Sequence, residues 1–205
     1  MMTTQVHESS VIADNVVLGK NVSIGPNCTL GFLGYQIKEK IEKNEVKPLE
    51  IGDGTIIHGN TVICQGTRIG KECRLDYHSY IGECTIIGNK CVIEYGARIY
   101  DRVLIHDKCL ISGFVSNDCI IEENTIVHGD LIHKFKNVVP GKSEPSPIVK
   151  PNAFIGRKAI IIGPIVIEKG TYVGAGAVVT KSTEPNKLYL GVPARAVDIA
   201  HKPFI

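Results

Sequence analysis

Aliphatic residues recur at every sixth position along most of the chain. Ile12, Leu18, Ile24 and Leu30 open the series. It resumes at Ile51 and holds through Ile57, Ile63, Ile69, Leu75, Ile81, Ile87, Ile93, Ile99, Ile105 and Ile111. A shortened step leads to Val115, followed by Ile121 and Val127, and a last run carries Val149, Ile155, Ile161, Ile167, Val173 and Val179. An α-helix repeats every 3.6 residues and a strand every two, so neither sustains this period. Four residues after each aliphatic stands a small or β-branched residue, as at Val22, Cys28, Thr55, Thr61, Cys73, Ser79, Thr85, Cys91 and Ala97. Glycine often follows the aliphatic directly, as at Gly19, Gly52, Gly70 and Gly88. Asn, Asp and Gly cluster between the apolar pairs, where the chain must turn.

This pattern predicts an all-β solenoid. Three short strands and three turns make a triangular coil, and each coil buries its inner face only against its neighbours. Backbone hydrogen bonds then join coils spaced about 4.8 Å apart. Twenty-four steps, three to a coil, give about eight coils in a single domain over 1–205. Two insertions break the repeat. Residues 31–50 read either as a short amphipathic helical turn or as a charged excursion over an edge. Residues 133–148 hold three prolines and read as a loop, where function is often carried on a regular scaffold. A C-terminal tail follows over 181–205.

Composition narrows the function classes. A net charge of +2 and 6% aromatic residues give no reason to expect nucleic acid or a membrane surface as partner. No apolar stretch reaches membrane-spanning length, and the first residues lack a signal-peptide pattern. Seven cysteines without a C-x-x-C pair fit a reduced, cytoplasmic protein. Five of them, Cys28, Cys73, Cys91, Cys109 and Cys119, fall on the small inward position and behave as core residues. Cys64 and Cys84 fall outside it, and neither has metal-site spacing, so no metal ion is expected.

The aliphatic-Gly-x-x-x-x motif, repeated in register, resembles the hexapeptide-repeat acyltransferases. The resemblance covers about three quarters of the chain and implies a left-handed parallel β-helix, a left hand that periodicity itself does not specify. It also implies a homotrimer with active sites between subunits, and acetyl-CoA as acyl donor. Tyr172 to Lys181 and the close Gly191-Val192-Pro193-Ala194-Arg195 are similar to the end of the helix in sugar-directed acetyltransferases of this class. By that resemblance Gly156, Ala159, Gly174 and Ala177 flank the cofactor, while Lys181 and Arg195 are cations for its phosphates.

Acyl transfer needs a base or a neutral nucleophile, and histidine is the usual base. Marching six residues on from Val127 places His133 in an aliphatic slot at the loop mouth. It resembles the catalytic histidine of the maltose and galactoside acetyltransferases, although Lys134 follows it where that family has proline. His128, directly after Val127, is the second candidate and His78 the third. The run from Val127 through Asp130, then Ile148 to Gly156, resembles the nucleotide-amino-sugar N-acetyltransferases, as do Gly34-Tyr35 and Lys47-Pro48-Leu49. Gly129 stands where those have Asn, and Asp130 would orient the sugar amine. N-acetylation of a nucleotide-linked amino sugar is the leading reading. O-acetylation of a saccharide or small alcohol is the alternative. A noncatalytic or carbonic-anhydrase-like β-helix is the third, and would require His78, His106 and His128 to converge on zinc.

Overall fold

The computed structural model describes residues 3–34, 47–134 and 145–197. Each step of the pattern is a strand of two to four residues, and its aliphatic faces inward. Strands return to the same sheet at every third step, so three sheets line a triangular solenoid. They hold 11, 9 and 8 strands and are termed A, B and C. The chain passes from A to B to C and back to A.

Pairing is parallel and in phase. Leu75 lies between Ile57 and Ile93, Ile81 between Ile63 and Ile99, and Ile87 between Ile69 and Ile105. Stacking like on like keeps each layer the same size as the next, which close packing requires. The small inward residue does a second job. Thr55 Oγ1 donates to Gly70 O at 2.9 Å and Thr85 Oγ1 to Tyr100 O at 2.8 Å. Cys73 Sγ and Cys91 Sγ donate to Gly88 O and His106 O, each at 3.1 Å. Hydroxyl and thiol thus satisfy equivalent carbonyls on the next coil, and the five inward cysteines are 0–2% exposed. No helix among the described residues is long and apolar enough to cross a membrane.

Most six-residue steps place one residue in the left-handed region, three positions after the aliphatic. Asn60, Glu72, His78, Cys84, Lys90, Arg102 and Lys108 have φ between 55° and 60°, and Gly54, Gly66 and Gly96 fill the same position. Two steps are only four residues long, Ile111 to Val115 and Val127 to Leu131, and neither contains a left-handed residue. Leu131 is fully buried and pairs with Val115 and Ile161. The aliphatic slot that the six-residue count gave to His133 therefore belongs to Leu131. Val6, paired with Ile24 at the open N-terminal end, adds one more step. Twenty-six of the 28 strands thus form nearly nine coils, against the eight counted from sequence.

The C-terminal end is closed by the chain itself. Leu188–Leu190 joins sheet A beside Tyr172–Val173 and turns back as an antiparallel hairpin with Arg195–Val197. Gly191 O and Ala194 N both bond Val178, covering the last strand of sheet B. Both insertions leave sheet B and return to sheet C, one between Thr29–Phe32 and Leu49–Ile51, the other between Asp130–Ile132 and Ile148–Val149. The proposed helical turn, Tyr35 and most of the proline-bearing loop lie outside the described residues.

Candidate active site

The residue after each inward aliphatic of sheet A lies on the A/B corner. Successive coils stack these residues into a column: Asp76, Glu94, Ser112, His128, Gly156 and Gly174. The two short steps fall on this corner in successive coils, at Ser112–Gly113 and His128–Gly129. The corner is cut back there, between full corners that carry Tyr95 and Arg157. Glycine makes the close approach possible. A Cβ on Gly113 would lie 2.7 Å from the Gly129 carbonyl carbon and closer still to its oxygen. One on Gly129 would crowd the Ala159 carbonyl.

His128 lies in this recess, its side chain 17% exposed. Its Nδ1 is 2.7 Å from Ser112 Oγ and 3.6 Å from Glu94 Oε2. Glu94 Oε2 is in turn 3.9 Å from Arg157 Nη2. The imidazole meets the Phe154 ring edge-on at 5.8 Å, and Phe154 stacks on Tyr172 at 4.5 Å. A carboxylate beside Nδ1 favours the proton on that nitrogen, so the lone pair is on Nε2. Nε2 has no hydrogen-bond partner among the described residues. Burial pulls the His128 pKa below its ordinary 6.5; Glu94 opposes this and the Arg157 charge adds to it. The side chain is thereby held neutral at pH 7, with its basic nitrogen free.

His133 is placed differently. It stands on the B/C corner at the root of the loop, and its Nε2 donates to Asn117 O at 2.9 Å and meets Ser146 Oγ at 3.0 Å. Ser146 Oγ donates to the same carbonyl at 2.6 Å. A nitrogen whose proton is given to a carbonyl is not a base, so the bonds shown at His133 pin the two ends of the loop together. Asp130 points outward from sheet B and accepts the Phe114 N–H on Oδ1 at 2.9 Å. The same device recurs where Asp101 accepts from Glu83 N and Asp107 from Asn89 N. The other oxygen of Asp130 has no partner among the described residues.

The expected cofactor residues divide. Ala159 and Ala177 are interior, 0% and 1% exposed, and their amides bond Gly156 O and Gly174 O. Gly156 and Gly174 are also buried: a Cβ on Gly156 would meet Ala175 N at 2.7 Å, and Leu190 lies against Gly174. These four serve coil packing instead of offering a surface. Exposed at the same corner are Arg157, Lys158, Ala175 and Gly176, and Lys181 and Arg195 are exposed at the C-terminal end. His78 is a left-handed turn residue edge-on to Tyr95, whereas His106 lies on the C/A corner, 3.8 Å from Glu123. The three histidines proposed for zinc do not share a corner. Glu94, Ser112 and Arg157 escaped the sequence reading. Aligning the chain at one coil per line, with both short steps recognised, puts Glu94 and Ser112 in the His128 column and Arg157 one residue beyond it.

The family model described as the hexapeptide repeat of succinyl-transferase matches residues 151–181. The solved structure of LpxA from Acinetobacter baumannii superposes with a TM-score of 0.68 at 19% identity, covering 95% of this chain and 74% of that one. Residues 151–181 are thus similar to hexapeptide repeats, and the chain shares the fold of that structure. The UDP-N-acetylglucosamine acyltransferase from Campylobacter jejuni shares the fold, with a TM-score of 0.61 at 17% identity over 95% of this chain and 75% of that one. By sequence, the bifunctional protein GlmU of Thermodesulfovibrio yellowstonii is 27% identical over 184 residues, 89% of this chain and 37% of that protein. The chain thus spans little more than a third of that relative. Against this background, the double cut at the A/B corner is a local departure from an otherwise regular hexapeptide helix.

Proposed function

We propose that this chain is an acetyl-CoA-dependent N-acetyltransferase of a nucleotide-linked amino sugar, working as a cytoplasmic homotrimer. The observation that carries the reading is His128: neutral, oriented at Nδ1 by Ser112 and Glu94, and free at Nε2 in a recess of the helix. The superfamily fold and a solved relative whose name states acyl transfer to UDP-N-acetylglucosamine support it. All seven cysteines are free thiols, in keeping with a reducing compartment.

Acetyl-CoA supplies an activated acetyl thioester. The exposed Ala175 and Gly176 leave the corner bare two coils beyond His128, and Arg195, on the strand paired with Leu188–Leu190, lies four strand spacings or about 19 Å from His128. That separation suits a pantetheine arm with its phosphates at the cationic end. The acceptor nitrogen bonds to the carbonyl carbon as the carbon–sulfur bond breaks. His128 Nε2 takes the proton that the nitrogen sheds, and the sulfur leaves as thiolate to be protonated to the thiol. Asp130, with one free carboxylate oxygen, orients the amine. The same neutral base also favours a second reading, O-acetylation, because a hydroxyl needs its proton removed more than an amine does.

The test is CoA release over amino and hydroxyl acceptors, with His128→Asn and His133→Ala alongside. The expected result is turnover with an amino sugar, cut by about 10²- to 10⁴-fold in His128→Asn and retained in His133→Ala. Turnover confined to hydroxyl acceptors selects the second reading. Loss in His133→Ala with His128→Asn active overturns the assignment of the base.

A further inference from the structure

Three charged or polar groups converge on His128 from other coils: Glu94 from two coils before, Ser112 from the preceding one and Arg157 from the following one. Arg157 is the exception in this set. Its side chain is 71% exposed, and its single described ion pair is long, 3.9 Å to Glu94 Oε2. Glu94 shares that same oxygen with His128 at 3.6 Å. Arg157 also occupies the first full corner beyond the two cut ones, so its guanidinium stands on the rim of the recess. Tyr95, 67% exposed, stands on the opposite rim. A guanidinium so poorly paired, beside a base, is a ready receptor for an anionic oxygen.

Resting on the acyltransferase reading, we infer that Arg157 binds the phosphate carried by the acceptor sugar, and that this contact switches on His128. The phosphate of the acyl donor is the other source of such an anion. It is separated from the thioester by the whole pantetheine arm, so it cannot sit at Arg157 while the thioester is at His128. A phosphate on the anomeric carbon of the acceptor is only a few bonds from the sugar's amino group. It can therefore lie at Arg157 while the amine faces Nε2.

The switch follows from the shared carboxylate. In the free protein the Arg157 cation adds to burial in holding His128 below its ordinary pKa. A bound phosphate neutralises that cation, removes its repulsion and leaves Glu94 to act on His128 alone. The base therefore becomes stronger only when an acceptor is present. Arg157 acts as a specificity and positioning residue, distinct from the base itself. Phe154, a further neighbour of the imidazole, carries no charge, and the Asp130 carboxylate, held at Oδ1 by Phe114 N, is present with and without the phosphate and so adds a constant field.

The experiment uses the full chain without acyl donor, so it does not depend on turnover. The His128 imidazole is titrated by NMR in the wild type and in Arg157→Met, each with no addition, with glucosamine, with glucosamine 1-phosphate and with CoA. In the wild type, glucosamine 1-phosphate should raise the His128 midpoint while glucosamine and CoA leave it in place. In Arg157→Met the midpoint should start higher and no longer respond. Affinity for glucosamine 1-phosphate should fall by about tenfold or more, the loss of one charge-assisted contact. An unmoved midpoint in the wild type, equal affinity in the variant, or a response to CoA in place of the sugar phosphate would each overturn the inference. Failure of the acceptor panel to support any acyl transfer would instead remove the acyltransferase reading and leave these binding results standing.

Discussion

Two glycines on the A/B corner, one coil apart, separate the two reasons a glycine is needed. Gly96 occupies a full corner at φ +68°, and a Cβ there would meet nothing within 4 Å. Gly96→Ala therefore feels only the left-handed backbone, about 1–2 kcal/mol, offset by about 0.4–1 kcal/mol from a less flexible unfolded chain. The net cost is about 0–1.6 kcal/mol. Gly113 has an ordinary φ but sits on a cut corner. Its Cβ would lie 2.7 Å from the Gly129 carbonyl carbon, where ordinary contact begins at 3.4 Å, and would also sit 3.3 Å from Asp130 Oδ1.

The two coils would have to part by about 0.7 Å or more at a point where Ser112 N bonds Val127 O at 2.9 Å and Phe114 N bonds Asp130 Oδ1 at 2.9 Å. Overpacking costs about 1–3 kcal/mol, and each buried amide left without its acceptor about 1–3 kcal/mol more. Gly113→Ala should thus lose about 3–5 kcal/mol. Urea unfolding followed by far-UV circular dichroism, at one fixed protein concentration, reads both variants on the same scale. If Gly113→Ala unfolds within about 1 kcal/mol of Gly96→Ala, the two cut corners are not in contact, and the recess that holds His128 is not built as described.

The remaining predictions concern the thiols and the base. Burial pushes the Cys119 thiol up to about 12, and among the described cysteines only Cys84 is partly exposed. A disulfide reagent at pH 8 should therefore label about one thiol in the native protein and seven after denaturation; rapid labelling of several in the native state would refute the buried ladder. Cys91→Thr should stay within about 1 kcal/mol of wild type in thermal unfolding, because threonine fills this position elsewhere, whereas Cys91→Ala leaves His106 O unpaired and should cost about 1–3 kcal/mol. By NMR the His128 imidazole should titrate below 6.5, and Glu94→Gln should lower the midpoint further, since Glu94 is the charge that raises it; a midpoint at or above 6.5 contradicts the burial argument.

The six-residue period made the coils legible because each aliphatic has no role except to stack. Ile57, Leu75, Ile93 and Ile111 needed only their spacing of 18 to be placed on one sheet. The small inward cysteines were legible for the same reason. The site was not. Its residues are neighbours at intervals of 18, 16 and 28 in the chain, as in Glu94–Ser112, Ser112–His128 and His128–Gly156. The intervals change wherever a step is short or a loop intervenes. Gly156 and Gly174 looked like an open floor for a ligand, and glycine suits that role, but the approach of the next coil explains them equally from sequence and wins in the structure.

The proposal of His128 in place of His133 turns on one short step. Sequence counting recognised the short step after Ile111 because Val115 restores the period afterwards. It missed the short step after Val127 because the loop follows before any later aliphatic can reset the count. A four-residue corner needs no left-handed residue, and Gly129 with Asp130 meets that requirement: glycine for the close approach, aspartate to cap Phe114 N. Gly113 is the counterpart of Gly129 in the coil before, and the two short corners lie directly against each other. The chemistry follows from that deletion. With two residues removed from each corner, Ser112 and His128 come into register with Glu94 on one side and Arg157 on the other, and the imidazole is sheltered without being sealed. Restoring the missing residues in both corners, for example by inserting Asn-Gly after Gly113 and again after Gly129, should return a regular helix that folds as well as the wild type and has lost the acyl transfer proposed for it.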